Sequence, residues 1–251
     1  MSDKPIEKPK TPEKVSGEKK DVGLEYINQA VVQDVAGLQI PVLNAGSIEI
    51  PDTKFGCSMI FVGSTRSGKT TLMNYLFKKH FESYISVLMS NSLNSDAYKY
   101  LKKQCVTSDW YHPEILKDMY KINHSTKNNY QFMVVIDDVP DKRNDAEIKR
   151  MLTIYRNSRI SCMFCAQGLT MLDKLARGNI NFVFLGRMNS SEEVERNIKS
   201  YLQGHFPTNM KMSEKIKLYR QMTENHQWLV LDQINNHFFM TKLTETQLIG
   251  V

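Results

Sequence analysis

From Cys57 onward, short continuous apolar runs alternate with stretches whose apolar positions recur at helical spacing. The runs Cys57–Val62, Ser83–Met89, Phe132–Ile136, Ile160–Ala166 and Phe182–Leu185 predict five strands, and their near-continuous apolar character predicts burial on both faces. Between them, Leu72, Met73, Leu76 and Phe77 predict a helix over about 70–81, and a helical stretch follows near Asp96–Lys103. Residues 105–130 read as polar and irregular, with at least one short helix around Glu114–Ile122. Asn144 and Glu147 resemble a capping box, and Ile148, Met151, Leu152 and Tyr155 follow at i, i+3, i+4 and i+7. A further helix, Leu169–Arg177, is expected to stop at Gly178. Strands alternating with helices imply crossover connections, hence an α/β three-layer fold with a mainly parallel central sheet.

The flanks differ from this core. Ser190-Ser-Glu-Glu193 predicts a helix to about Gln203 and Ser213 starts another; Trp228–Leu231 and Phe238–Leu243 read as a terminal hairpin across Asn235-Asn236. Val31–Pro51, broken by Gly37, Pro41 and Gly46, suggests short strands or a loop packed on the core. Residues 1–20 hold six Lys, four acidic residues and three Pro with almost no aliphatic side chains, so 1–21 is expected to be a disordered tail. Residues 22–251 then form one domain, with a core over about 55–187 and C-terminal helices and hairpin over 188–251.

Composition narrows the classes. Of 251 residues 41% are hydrophobic and 24% charged, which excludes a wholly disordered chain. Apolar runs fall far short of the roughly 20 residues of a membrane span, and the N-terminal stretch has no signal-peptide character, so a soluble, intracellular protein is expected. A formal charge of +6 permits a polyanionic partner without requiring one. Cys162 and Cys165 form a C-x-x-C inside a predicted strand, where residues three apart face opposite ways; with Cys57 and Cys105 they read as reduced packing residues.

The chemistry concentrates in one motif. Gly63-Ser64-Thr65-Arg66-Ser67-Gly68-Lys69-Thr70 is a complete G-x-x-x-x-G-K-[ST], placed after an apolar strand and opening an amphipathic helix. Its backbone N–H groups, with Thr71 completing the cradle, suit phosphate oxygens. Lys69 suits the β- and γ-phosphates, and the Thr70 hydroxyl suits Mg²⁺. Asp137 and Asp138 end the apolar run Met133–Ile136; Asp137 is the expected Mg²⁺ carboxylate, and Asp138 either polarises the attacking water or caps the loop at Val139-Pro140. Gln167 ends the run Ile160–Ala166 at the ligand edge of a parallel sheet, where it orients water, senses the γ-phosphate or simply starts a loop. Arg150, Arg156 and Arg159 precede that run, as solvated helix-end residues or as a source of an arginine for a neighbour's nucleotide.

Together, Gly63–Thr70, Asp137-Asp138 and Arg156-Asn-Ser-Arg-Ile-Ser161 leading into Cys-Met-Phe-Cys-Ala-Gln167 resemble the viral genome-packaging ATPases of the FtsK–HerA branch of P-loop ATPases. These occur in poxviruses, other large DNA viruses, virophages and Polinton-like elements. The resemblance covers about residues 55–187. It implies a sheet in the order 5-1-4-3-2, numbering the five predicted strands along the chain, with Asp137 on the metal, Asp138 as catalytic acid and Gln167 as polar sensor. It also implies Lys69 and a trans-acting Arg156 in catalysis, ATP and Mg²⁺ as cofactors, and double-stranded DNA as partner. A homo-oligomeric ring, pentameric or hexameric, a capsid or portal protein as docking partner, and location in the host cytoplasm or virion complete the expectation. Members often carry Arg-His where this chain has Arg156-Asn157, which keeps Arg159 and Arg187 as alternatives.

Two other classes compete. A small-molecule kinase or other monomeric phosphotransferase needs the P-loop, but not the Asp pair with a strand-ending Gln, and no acceptor-binding signature is visible. A regulatory GTPase would carry N-K-x-D, which is absent from the chain and so favours ATP. Basic residues that could meet DNA (Lys142, Arg143, Lys149, Arg150, Lys211, Lys215, Lys217 and Arg220) are scattered among acids.

Overall fold

A computed structural model describes residues 30–51, 55–138, 145–244 and 247. In chain order its elements are β1 (Val31–Val35), β2 (Leu38–Asn44), β3 (Ser58–Val62), α1 (Lys69–His80), β4 (Ile85–Ser90), α2 (Leu101–Gln104), β5 (Val106–Ser108), α3 (Pro113–Ser125) and β6 (Phe132–Asp137). They continue with α4 (Ala146–Thr153), β7 (Ile160–Ala166), α5 (Lys174–Arg177), β8 (Phe182–Leu185), α6 (Ser191–Asn197), α7 (Met212–Met222), β9 (Trp228–Asp232) and β10 (His237–Lys242).

All ten strands share one sheet, in the order β1-β2-β10-β9-β8-β3-β7-β6-β4-β5. Its centre, β8-β3-β7-β6-β4, is parallel throughout and is the 5-1-4-3-2 arrangement. The sheet runs further than that pattern on both sides. β5 adds a parallel strand beyond β4, while β9 pairs antiparallel with β8 and hands on to β10, β2 and β1. The terminal hairpin is thus part of the sheet, and the segment before the P-loop supplies its far edge.

The pleat sorts the side chains into two cores. Met59, Phe61, Met163, Cys165, Phe182 and Phe184 face α1, whose Leu72, Met73, Leu76 and Phe77 fall on one helical face. Phe61 and Phe184 stack with centroids 4.6 Å apart. Ile60, Val62, Cys162, Phe164, Val183 and Leu185 face the other way, toward α3, α4, α6 and α7. Cys162 and Cys165 therefore lie on opposite faces, and the described cysteines are free thiols.

Several local readings need correction. Residues 105–130 contain α3, a 13-residue helix, and the short strand β5. The helix buries only Leu116, Met119 and Asn123, a stripe too narrow to stand out in a polar sequence. α4 is capped by Asp145, whose Oδ1 accepts the N–H groups of Glu147 and Ile148 at 2.9 Å each; Glu147 is instead buried, accepting from Tyr155 and Arg150. Asn144 and the tail 1–21 lie outside the described residues. The expected helix 169–177 is split into a 3₁₀ turn and α5, because Asp173 caps the second piece through the Leu175 N–H. The hairpin β1–β2 turns on Ala36-Gly37, both with positive φ, the type I′ geometry that matches strand twist.

Candidate active site

A parallel sheet delivers the ends of its strands to one edge. Here β3 leads into Gly63, β6 ends at Asp137, β7 leads into Gln167 and β4 ends at Ser90, and the loops that follow meet around a cavity of about 270 Å³. Thr65, Arg66, Lys69, Thr70, Ser92, Tyr98, Asp138 and Gln167 line it.

The P-loop is tightly determined. Gly63 donates its N–H to Ala166 O (3.1 Å), and a Cβ at Gly63 would stand 2.5 Å from Ser67 Oγ. Arg66 and Gly68 have positive φ (63° and 92°), so the chain curls back before α1 begins at Lys69. Lys69 Nζ donates to the carbonyl oxygens of Gly63 (2.7 Å) and Ser64 (3.0 Å), which holds the ammonium within the loop. Ser67 Oγ is buried without a hydrogen-bond partner, a polar atom to be expected beside an oxygen-rich ligand. Helix start, ammonium and curled backbone together make an anion cradle.

Asp137 sits beside it. Its carboxylate is 3% exposed, and Oδ2 accepts from the hydroxyls of Thr70 (2.9 Å) and Tyr98 (2.9 Å). Burial, reinforced by the charge of Asp137, pushes the Tyr98 phenol and the Cys165 thiol far above their ordinary values, so both stay protonated beside the carboxylate. A hydroxyl and a carboxylate are hard oxygen donors. They fit a Mg²⁺ ion that takes its remaining ligands from water and phosphate. Among the described residues no group of three or more His, Cys, Asp or Glu forms a self-sufficient metal cage. Asp138 is exposed, has φ 52°, and accepts from the Ser92 hydroxyl. Gln167 is exposed on the same cavity.

The arginines separate. Arg156 and Arg159 precede β7, at the opposite edge of the sheet from Gln167. Seven residues of β7 at about 3.3 Å each put roughly 23 Å between them and the P-loop edge. Arg156 is half-buried, its carbonyl accepting the Gly56 N–H (2.6 Å); Arg159 Nη1 donates to Asn128 O (3.3 Å). Arg187, by contrast, lies exposed on the P-loop edge, and its carbonyl accepts the Ser64 N–H (2.9 Å). Of the scattered basic residues, Lys215 is buried against Phe206, Lys149 pairs with Asp173 and Arg150 with Glu147. Lys142 and Arg143 fall outside the described residues.

Sequence reasoning missed Tyr98, Ser92 and His226. The first two follow β4, so a strand-end rule applied to Ser83–Met89 would have flagged their loop. His226 Nδ1 lies 3.3 Å from Ser67 O across 159 residues of sequence, and no local signal announces it.

Solved structures share the fold. The DNA-packaging ATPase B204 of Sulfolobus turreted icosahedral virus superposes with a TM-score of 0.57 at 14% identity, covering 77% of this chain and 100% of that one. The genome-packaging NTPase B204 of Sulfolobus turreted icosahedral virus 2, in complex with ATP-gammaS, gives 0.53 at 15% identity, covering 75% and 98%. EssC (ATPases 2 and 3) of Geobacillus thermodenitrificans gives 0.50 at 11%, covering 78% of this chain and 42% of that one. A comparison with curated protein sequences finds no match. A family model described as Poxvirus A32 protein matches residues 52–244, and the chain belongs to the poxvirus A32 protein family.

Proposed function

We propose that this chain is an ATP hydrolase that drives double-stranded DNA into a viral capsid, working as a homo-oligomeric ring. The observation that carries the reading is the convergence of Lys69, Thr70, Asp138 and Gln167 on one cavity at the strand-end edge, with Asp137 bonded to Thr70 behind it. Family membership and the fold of two packaging NTPases point the same way.

Lys69 and the backbone from Gly63 to Thr71 hold the triphosphate. Thr70 and Asp137 are the residues that would hold Mg²⁺, which would neutralise negative charge on the phosphates. Asp138 orients and deprotonates the attacking water, and Gln167 aligns that water or reads the γ-phosphate. Arg156 stands about 23 Å of strand from its own P-loop, which supports reading it as an arginine for a neighbour's nucleotide rather than for its own. DNA is gripped mainly through its phosphates, without sequence preference and with strong salt dependence. The ring docks on a capsid or portal protein, in the host cytoplasm or the virion. No described helix is long and apolar enough to cross a membrane.

The test is ATP turnover with and without double-stranded DNA, alongside light scattering for mass. Stimulation by DNA of any sequence in an oligomer supports the motor. DNA-independent turnover by a monomer with a small-molecule acceptor would replace it with a phosphotransferase. For the arginine, Arg156→Ala should bind ATP but hydrolyse slowly, and mixing it with Lys69→Ala should partly restore turnover. No recovery in demonstrably mixed oligomers would remove the trans role.

A further inference from the structure

The turn that carries Gln167 is held weakly by its own backbone. The Gln167 N–H donates to Met171 Sδ (3.3 Å), a weak acceptor, and Gly168 O accepts the Met171 N–H (3.2 Å) to close the turn. Gly168 is extended and buried. A Cβ on it would stand 2.5 Å from Glu193 Oε2 and 3.0 Å from Glu193 Cδ. The Glu193 carboxylate therefore rests on bare backbone, one residue from Gln167.

Glu193 belongs to α6, and α6 is well anchored. Val194 and Ile198 are fully buried in the core. Asn197 Nδ2 donates to the Tyr219 hydroxyl (2.9 Å), which donates to Gly186 O (2.8 Å). Just before the helix, the Asn189 N–H donates to Ser64 Oγ and Arg187 O accepts the Ser64 N–H, each at 2.9 Å. The stretch 187–193 thus touches the phosphate loop with one end and the Gln167 turn with the other.

Stability alone would not select this contact. Glu193 Oε1 accepts from Arg196 Nη1, but Oε2 is buried without a hydrogen-bond partner. Burying an unpaired carboxylate oxygen costs free energy that an apolar side chain in its place would avoid. Successive residues of extended chain face opposite ways: Gly168 faces α6, and Gln167 faces the nucleotide cavity that it lines. We propose that Glu193 is a positioning residue for Gln167, its carboxylate setting, through Gly168, where the Gln167 amide stands relative to the phosphate loop. This rests on the reading of Gln167 above, as the group that aligns the attacking water or reads the γ-phosphate. Because Oε2 makes no bond, the contact acts by shape, and glycine at 168 is what admits the carboxylate.

The experiment measures ATP turnover of the full chain with double-stranded DNA present, and thermal unfolding alongside. The variants are Glu193→Ala, Glu193→Asp, Glu193→Gln, Gln167→Ala and the double variant Gln167→Ala/Glu193→Ala. Glu193→Ala should lower kcat about tenfold or more, with the KM for ATP near the parent value and Tm unchanged or raised. Glu193→Asp, one methylene shorter, should do the same, whereas Glu193→Gln keeps the length and should keep most of the turnover. These two carry the test on their own if the truncated chain does not fold. In the Gln167→Ala background, Glu193→Ala should cost nothing further. Losses that multiply in the double variant would overturn the proposal, as would a slow Glu193→Gln beside a near-parental Glu193→Asp. A lowered Tm with unchanged kcat would make Glu193 a residue of the fold alone and overturn it too. Parental turnover in Gln167→Ala would instead remove the reading of Gln167, and the proposal with it.

Discussion

Removing a single oxygen, in Tyr98→Phe, tests how the metal carboxylate is held. The ring of Tyr98 is 3% exposed and packs in the core on the α1 side of the sheet. Its loop is anchored independently of the hydroxyl, because Asn74 Nδ2 donates to Ala97 O (2.6 Å) and Ser95 Oγ accepts the Ala97 N–H (3.3 Å). The phenyl ring of the variant therefore keeps its place. What is lost is one of the two hydroxyl donors to Asp137 Oδ2, at 2.9 Å.

A hydrogen bond to a charged acceptor contributes about 1.5–3 kcal/mol. Once Thr70 turns toward a metal, Tyr98 is the hydroxyl that still orients Asp137, so most of that energy should appear in metal affinity. Loss of such an outer partner typically costs about 10- to 100-fold. The assay is ATP turnover titrated with Mg²⁺, with thermal unfolding measured in parallel. Half-saturating Mg²⁺ should rise by about tenfold or more, while kcat at saturating Mg²⁺ stays near the parent value. A lowered Tm with unchanged Mg²⁺ dependence would show that Tyr98 serves the fold alone and refute the reasoning.

Lys69→Ala should abolish turnover and leave Tm nearly unchanged, since its half-buried side chain fills no core position and its ammonium bonds the P-loop carbonyls of Gly63 and Ser64; near-parental turnover would sink the P-loop assignment. Asp137→Asn should weaken Mg²⁺-dependent nucleotide binding, whereas Asp138→Asn should bind Mg–ATP and hydrolyse it slowly; identical behaviour of the two would erase the division of roles. Gly186→Ala places a Cβ 2.6 Å from the buried Trp228 ring and should cost about 1–3 kcal/mol or more in denaturant unfolding. His80, lowered to about 4 by burial and then by Lys79, contributes stability that is complete above its ordinary 6.5 and is lost as pH falls toward 4. The full loss is at most about 3 kcal/mol, and a His80→Gln variant should flatten the Tm–pH slope across that window.

What could be read from sequence was what is local. Gly63–Thr70 carries its own turn chemistry, and Asp137 and Gln167 stand at the ends of runs apolar enough to declare themselves buried strands. The parallel core followed from alternation alone. The rest depends on pairings that sequence distance hides. Tyr98 matters only because β4 lies beside β6, which brings the loop after Ser90 against Asp137. Asp145 displaced Asn144 as the cap of α4 because either residue suits that role, and only the backbone entering the helix decides between them. The short segments of β1 and β2 read equally well as strands or loop, since β2 finds its place only beside β10 at the other end of the chain and β1 only beside β2.

That last pairing has a consequence for the site. β9 and β10 fill the space between β8 and β2, so the sheet closes only when the C-terminal segment is in place. The same segment carries α7 and the loop that sets His226 against Ser67 and Gly68. Two functions thus share one stretch of chain, covering the outer edge of β8 and bracing the phosphate loop. Linkage makes the coupling reciprocal: a ligand that binds the braced P-loop more tightly than the unbraced one must stabilise the docking of the hairpin by the same factor. Trp228, packed against Gly186, and Tyr219, donating to Gly186 O, are the buried contacts that join β8 to these elements. A loosened hairpin should therefore register as weaker nucleotide binding before it registers as unfolding of the parallel core.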